Sequence, residues 1–216
     1  MRKAVIFDLD GTILDTETPE FVSWQEAYAA RGVTLDRSVW AQVIGTTDAG
    51  WDPYEHLDAL VGTPVDRAQL RKTRRARFDE LMAAAKPCAG VVAWLDEARA
   101  LGLLVGLASS SPTGWAERFL GVLGLRDRFA VLATRERVAR SKPAPDLYEL
   151  ALAELGVPAG DALAVEDSPN GVAAAKAAGL FCVAVPNPLT ADLALDRADV
   201  VLRSLDERPL RDFAGR

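Results

Sequence analysis

The sequence predicts an α/β fold: a parallel sheet with helices on both faces, and a block of helices inserted after the first strand. Three observations carry this. The run Lys3-Ala4-Val5-Ile6-Phe7 ends abruptly in Asp8 and Asp10, as a buried strand does where it opens into a loop. Residues 16–86 then show helical spacing with no convincing strand. From Gly90 onward short apolar runs alternate with helical patterns, the order that builds a parallel sheet covered on both sides.

Taken in order, Thr16 to Arg31 reads as a helix carrying Phe21, Trp24 and Tyr28, with Gly32 as its stop. Asp36 to Ile44 and Pro53 to Val61 read as shorter helices and Asp66 to Ala85 as a long one. These helices form a lid, so residues 1–15 and 87–216 are expected to make the core and 16–86 the inserted unit, with hinges near Asp15 and Lys86-Pro87. In the core, helices are expected at 91–101, 115–123, 146–155 and 171–178. Strands are expected at 103–108, 130–133, 162–165 and 181–185, with a short edge strand at Val200-Val201. The tail after Leu205 is polar and is expected to fray.

Composition narrows the function. The chain has 216 residues, half of them hydrophobic, and a formal charge of −6, which disfavours nucleic acid and anionic membrane as partners. No apolar run reaches membrane-spanning length and the N-terminal one is too short for a signal sequence, so the expected location is cytoplasmic. Cys88 and Cys182 lack metal-site spacing and read as reduced structural thiols. The single histidine, His56, excludes a multi-histidine metal site. With no heptad repeat, monomer is the default.

The chemistry-bearing residues sit at the expected strand ends, where open α/β sheets bind ligands. Asp8 and Asp10 leave the first strand together and repel one another unless a cation lies between them or they divide the labour of acid and base. An acidic turn closing a strand is the plain alternative. Ser109-Ser110-Ser111 precedes a helix, as an anion cradle or simply a capping turn does. Lys142, between an extended segment and a helix, could offset charge on a transferring group or be a surface lysine at a Pro-rich turn. Glu166 and Asp167 end the fourth strand, and neighbouring side chains there point to different sides.

Asp8-Leu9-Asp10-Gly11-Thr12 resembles the first motif of the haloacid dehalogenase superfamily. Ser109, Ser141-Lys142-Pro143 and Glu166-Asp167 resemble the second, third and fourth motifs, in the family's order and over nearly the whole chain. The helical insert resembles the cap of the beta-phosphoglucomutase-like branch, and the core is then Rossmann-like. The resemblance implies a Mg²⁺-dependent phosphotransferase. Asp8 is the nucleophile, Asp10 the acid and base, Ser109 a phosphoryl ligand and Lys142 a charge-stabilising cation. Asp167 and Asp8 supply carboxylate oxygens to the metal, Asp10 its backbone carbonyl, and Glu166 supports them from behind. Asp146 is expected to cap its helix. Gly11, Thr12 and Ser110 are expected to bind substrate, with Glu20, Trp24, Thr46, Thr47 and Trp51 as contacts from the cap.

Mutases of this branch carry an arginine near Asp48, a histidine at Glu20 and a basic residue near Pro112, all absent here. The expectation is therefore a phosphatase acting on a small sugar- or polyol-phosphate-like monoester, with Glu20 repelling any second phosphate. A beta-phosphoglucomutase-type mutase and a non-catalytic binding protein are the alternatives, and a dehalogenase would need neither Asp10 nor the acids at 166 and 167. The run Arg71-Lys72-Thr73-Arg74-Arg75-Ala76-Arg77 reads as a solvated helix face, the other possibility being that one arginine points into the cleft.

Overall fold

The computed structural model describes residues 1–41, 44–45 and 50–215. Six parallel strands form one sheet in the order β3-β2-β1-β4-β5-β6: β1 Ala4–Phe7, β2 Leu104–Ala108, β3 Val131–Ala133, β4 Ala162–Glu166, β5 Phe181–Ala184 and β6 Val200–Val201. The strand order reverses direction at β1, so the crevice beyond β1 and β4 is the place where the fold exposes strand ends to a ligand. Phe7 is in register with Val165, and the Asp8 N–H still donates to the Val165 carbonyl at 2.9 Å. The acids that follow the two strands therefore emerge side by side.

The period-two alternation of β1 sorts the core into two layers. Val5, Phe7, Leu107, Val165 and Val183 face α5 (Val91–Ala100) and α6 (Thr113–Val122). Ala4, Ile6, Ala164, Cys182 and Ala184 face α7 (Asp146–Leu155) and α8 (Pro169–Ala177). Alanine dominates the second face, so α7 and α8 approach the sheet closely.

Between β1 and α5 the described residues form four α-helices and no strand: α1 Glu17–Ala29, α2 Arg37–Ala41, α3 Pro53–Val61 and α4 Arg67–Met82. They enclose their own apolar cluster, with Phe21, Trp24, Tyr28, Leu57 and Leu70 buried. The Asp52 side chain accepts from the N–H groups of Tyr54 and Glu55, and Asp66 from those of Ala68 and Gln69, which starts α3 and α4 where the sequence predicts them. Among the described residues no helix is long and apolar enough to cross a membrane.

Two expectations are corrected. Asp146 is the first residue of α7, after Pro145 in helical conformation, and its carboxylate pairs with Arg140 at 2.7 Å instead of capping the helix. The tail does not fray. Leu205, Leu210 and Phe213 are buried against α5, where Trp94 Nε1–H donates to the carbonyls of Leu205 and Arg208, each at 3.0 Å. A short helix, α9 (Arg211–Ala214), closes the chain, and the Arg2 N–H donates to the Ala214 carbonyl at 2.8 Å. Three apolar residues scattered among charges lack a visible period, yet each reaches the sheet-facing layer. Phe213→Ala is expected to cost about 3–5 kcal/mol in a urea unfolding titration, a loss that a frayed tail would not produce.

Candidate active site

Four loops converge on the crevice beyond β1 and β4. After Asp8 the chain turns at Gly11, whose φ of +85° no side-chain-bearing residue adopts readily; a Cβ there would lie 2.2 Å from Asp167 Oδ2. The turn returns Thr16 to Asp10, with Oγ1 donating to Asp10 Oδ1 at 2.7 Å. The opening of α8 is just as close. A Cβ on Gly171 would meet Glu166 Oε2 at 1.8 Å, so glycine is what lets the helix start against that carboxylate.

At the bottom, the ammonium of Lys142, 1% exposed, donates to Asp8 Oδ1 at 2.5 Å and to Glu166 Oε1 at 2.6 Å. The Tyr148 hydroxyl donates to the same Glu166 oxygen at 2.5 Å. Asp167 turns the other way and accepts from Asn187 Nδ2 at 2.6 Å. Asn187 is held in that orientation because its Oδ1 accepts from the N–H groups of Leu189 and Thr190.

Three buried carboxylates thus face one buried ammonium. Burial first, then the charges of Glu166 and Asp10, push Asp8 up to about 8 against the opposing pull of Lys142. Burial and the neighbouring Asp8 and Glu166 raise Asp167 well above the carboxylate range. Burial disfavours the Lys142 ammonium, but Asp8 and Glu166 outweigh it and hold its pKa above the ordinary value.

Oxygens of Asp8, Glu166 and Asp167 lie within 4.8 Å of one another, and Glu166 Oε2 is buried with no hydrogen-bond partner among the described residues. Once ionised, three hard carboxylate donors against one ammonium leave a formal excess of two negative charges, which fits a divalent cation such as Mg²⁺. Glu166 Oε1 is taken by Lys142 and Tyr148 and Asp8 Oδ1 by Lys142, so Glu166 Oε2, the second Asp8 oxygen and Asp167 are the carboxylate oxygens that could hold such an ion.

Above these acids lies a cavity of about 530 Å³ walled by both core and cap. Asp8, Asp10, Glu20, Trp24, Trp51 and Ser110 line it. Ser109 is fully buried beside it, donating to Asp10 Oδ2 at 3.4 Å and accepting from the Ser111 N–H at 3.0 Å. Gly11 and Thr12 are buried beneath the site and do not line the cavity. Thr46, Thr47 and Asp48 lie outside the described residues. Gly45 and Ile44 do reach the strand ends: their carbonyls accept from Ser110 Oγ at 3.1 Å and Asn170 Nδ2 at 2.9 Å.

The arginine run is not a uniformly solvated face. Arg74 is buried and pairs with Glu20 at 2.6 Å, and Arg75 approaches Glu20 at 3.4 Å; both line the cavity. Glu20 is therefore a neutralised acid beside two guanidinium groups, and its expected repulsion of a second phosphate is withdrawn. The cap helices α1 and α4 pack side by side, which is what brings residues so distant in sequence together.

Sequence reasoning also missed Thr16, Glu17, Ser111 and Trp115. Ser111 Oγ and Trp115 Nε1 donate to Asp10 at 2.7 and 2.8 Å. The Glu17 carboxyl faces the same acids, and burial followed by the charges of Asp10, Glu20 and Asp8 raises its pKa well above the usual range. Ser111, two residues past Ser109, was the one visible in the motif; the others needed the turn of α1 and the approach of α6.

With no divalent cation bound, folded Asp8 keeps its proton up to about pH 8, whereas the unfolded chain releases it near 4. The unfolded state then binds fewer protons, so this group's contribution to stability falls as pH rises between those values. Thermal melts with and without Mg²⁺ are expected to show a larger metal-induced rise in Tm at pH 8 than at pH 5. An equal rise at both pH values would contradict the assignment of the buried acids.

Comparison with known proteins identifies the family. The family model described as haloacid dehalogenase-like hydrolase matches residues 2–179. The chain is 46% identical to YhcW of Bacillus subtilis over 97% of its own length and 95% of that protein. It is 35% identical to hexitol phosphatase B of Escherichia coli, covering 98% of this chain and 96% of that one. A mutant form of CbbY from Rhodobacter sphaeroides, crystallised with xylulose-(1,5)bisphosphate, superposes with a TM-score of 0.76 at 31% identity over 96% of each chain. The chain belongs to the haloacid dehalogenase-like hydrolases, in the helically capped beta-phosphoglucomutase-like branch.

Proposed function

We propose that the chain is a Mg²⁺-dependent phosphatase that hydrolyses a small sugar- or polyol-phosphate-like monoester through an aspartyl-phosphate on Asp8. The observation that supports this most is the Lys142 ammonium held between Asp8 and Glu166 beneath a capped cavity. The cation orients the nucleophile and offsets charge at the place where a phosphoryl group would sit.

In the first step an Asp8 oxygen attacks phosphorus. The bond from phosphorus to the leaving oxygen breaks, its electron pair stays on that oxygen, and Asp10 donates the proton. In the second step Asp10 takes a proton from water, the water oxygen attacks phosphorus, and the bond to Asp8 breaks, releasing phosphate. Ser109 binds a phosphoryl oxygen. Asp8 and Asp167 would hold Mg²⁺ together with the Asp10 backbone carbonyl, and the bound ion would supply positive charge against that of the transferring group. Cap helices α1 and α4 exclude bulk water. The unpaired thiols Cys88 and Cys182 fit a reducing, cytoplasmic setting.

Hydrolysis of p-nitrophenyl phosphate is expected to require Mg²⁺ and to fall at least roughly a thousandfold in Asp8→Asn, because the nucleophile is removed outright. Undiminished activity in that variant would reject the mechanism.

A second reading of the substrate is favoured by the arginines. The wall made of Arg74, Arg75 and Glu20 carries net positive charge, and a relative of this chain was crystallised with a bisphosphate. A substrate with a second anionic group is then accepted as well as a neutral polyol. Measuring kcat/KM for a pentulose bisphosphate and a hexitol monophosphate separates the two. If the second anion is held here, Arg75→Gln lowers the ratio of the bisphosphate value to the hexitol monophosphate value about tenfold, and an unchanged ratio rejects this reading.

A further inference from the structure

Trp115 stands in the first turn of the core helix α6 yet touches both the catalytic acid and the cap. Its Nε1–H donates to Asp10 Oδ1 at 2.8 Å. Its ring lies 5.5 Å from that of Phe78 and 4.6 Å from that of Phe119, and the Arg75 guanidinium sits 5.0 Å over it. Arg75 and Phe78 are three apart on cap helix α4, so one face of that helix clamps the indole. The same contact is reinforced by the Arg118–Asp79 ion pair between α6 and α4 at 2.8 Å.

We infer that Trp115 is a positioning residue: its indole N–H fixes the Asp10 carboxyl, and the seated cap fixes the indole. Asp10 Oδ1 receives only two hydrogen bonds among the described residues, from Trp115 and from Thr16 at the mouth of α1. Thr16 lies at the entry to the cap and Trp115 lies beneath it. The placement of the acid is thereby tied to the cap from both sides. With Oδ1 held, rotation of the carboxyl is restricted and its other oxygen stays with Ser109 and Ser111. An indole suits the task, since its ring fills an apolar contact while its single donor meets a carboxylate.

The inference rests on Asp10 being the proton donor to the leaving oxygen, and the test separates the two ideas. An alkyl phosphate needs that proton, whereas p-nitrophenyl phosphate, with an acidic leaving group, needs it far less. In Asp10→Asn the ratio of kcat/KM for a hexitol phosphate to that for p-nitrophenyl phosphate is expected to fall sharply. In Trp115→Phe, which keeps a ring against Phe78 and Phe119, the same ratio falls about tenfold, and Trp115→His, which restores a ring N–H, recovers part of it. A ratio that falls in Asp10→Asn but not in Trp115→Phe overturns the role of Trp115 and leaves Asp10 as the acid. A ratio unchanged in both overturns Asp10 as the acid and the inference with it. A second measurement needs no change at Trp115: in protein labelled with ¹⁵N-tryptophan, an indole N–H resonance is expected to move upfield when Asp10→Ala removes its acceptor. Indole resonances that all stay in place would refute the hydrogen bond on which the inference stands.

Discussion

One buried ammonium among buried carboxylates governs the architecture. Among the described residues the Lys142 ammonium donates to Asp8 and Glu166, and losing one member of such a set typically costs about 3–5 kcal/mol. Much of the core is arranged to hold it. Parallel registry of β1 with β4 delivers the two acids together, α7 brings Tyr148 beneath Glu166, and a glycine at position 171 removes the atom that would push α8 away. Once all three acids are ionised they carry two formal negative charges more than Lys142 offsets, a balance that a divalent cation would restore.

The cap answers the same electrostatic problem from the other side. Two guanidinium groups share one carboxylate at the roof, so the cavity runs from excess negative charge below to excess positive charge above. Tryptophans 24, 51 and 115 line the space between. The cap is seated on the core along α4 against α6 and again where Gly45 meets the loop after β2 and Ile44 the first turn of α8. The cleft is thus gripped at both ends.

Several features were legible before any coordinates. Apolar runs ending in Asp8, Ser109 and Glu166 mark strands whose ends must meet, because a parallel sheet aligns all its carboxyl ends on one edge. Helical spacing between them marks α1, α3 and α4 closely. The tail was misread because Leu205, Leu210 and Phe213 share no helical or alternating period. They are buried individually by a surface that the other elements create.

What the sequence determined by itself is local and repetitive: strand and helix identity, the order of the βα units, and the chemical type of the groups at each strand end. These follow from side-chain period and from residues such as Gly11 whose backbone conformation is restricted to few choices. Only the tertiary structure decided which charges meet. Whether Glu20 repels an anion or is quenched by Arg74 and Arg75, and whether Trp115 fills the core or holds Asp10, depends on the approach of elements far apart in the chain. Coulombic and hydrogen-bond energies change over an ångström or two, a distance that no pattern along the sequence encodes.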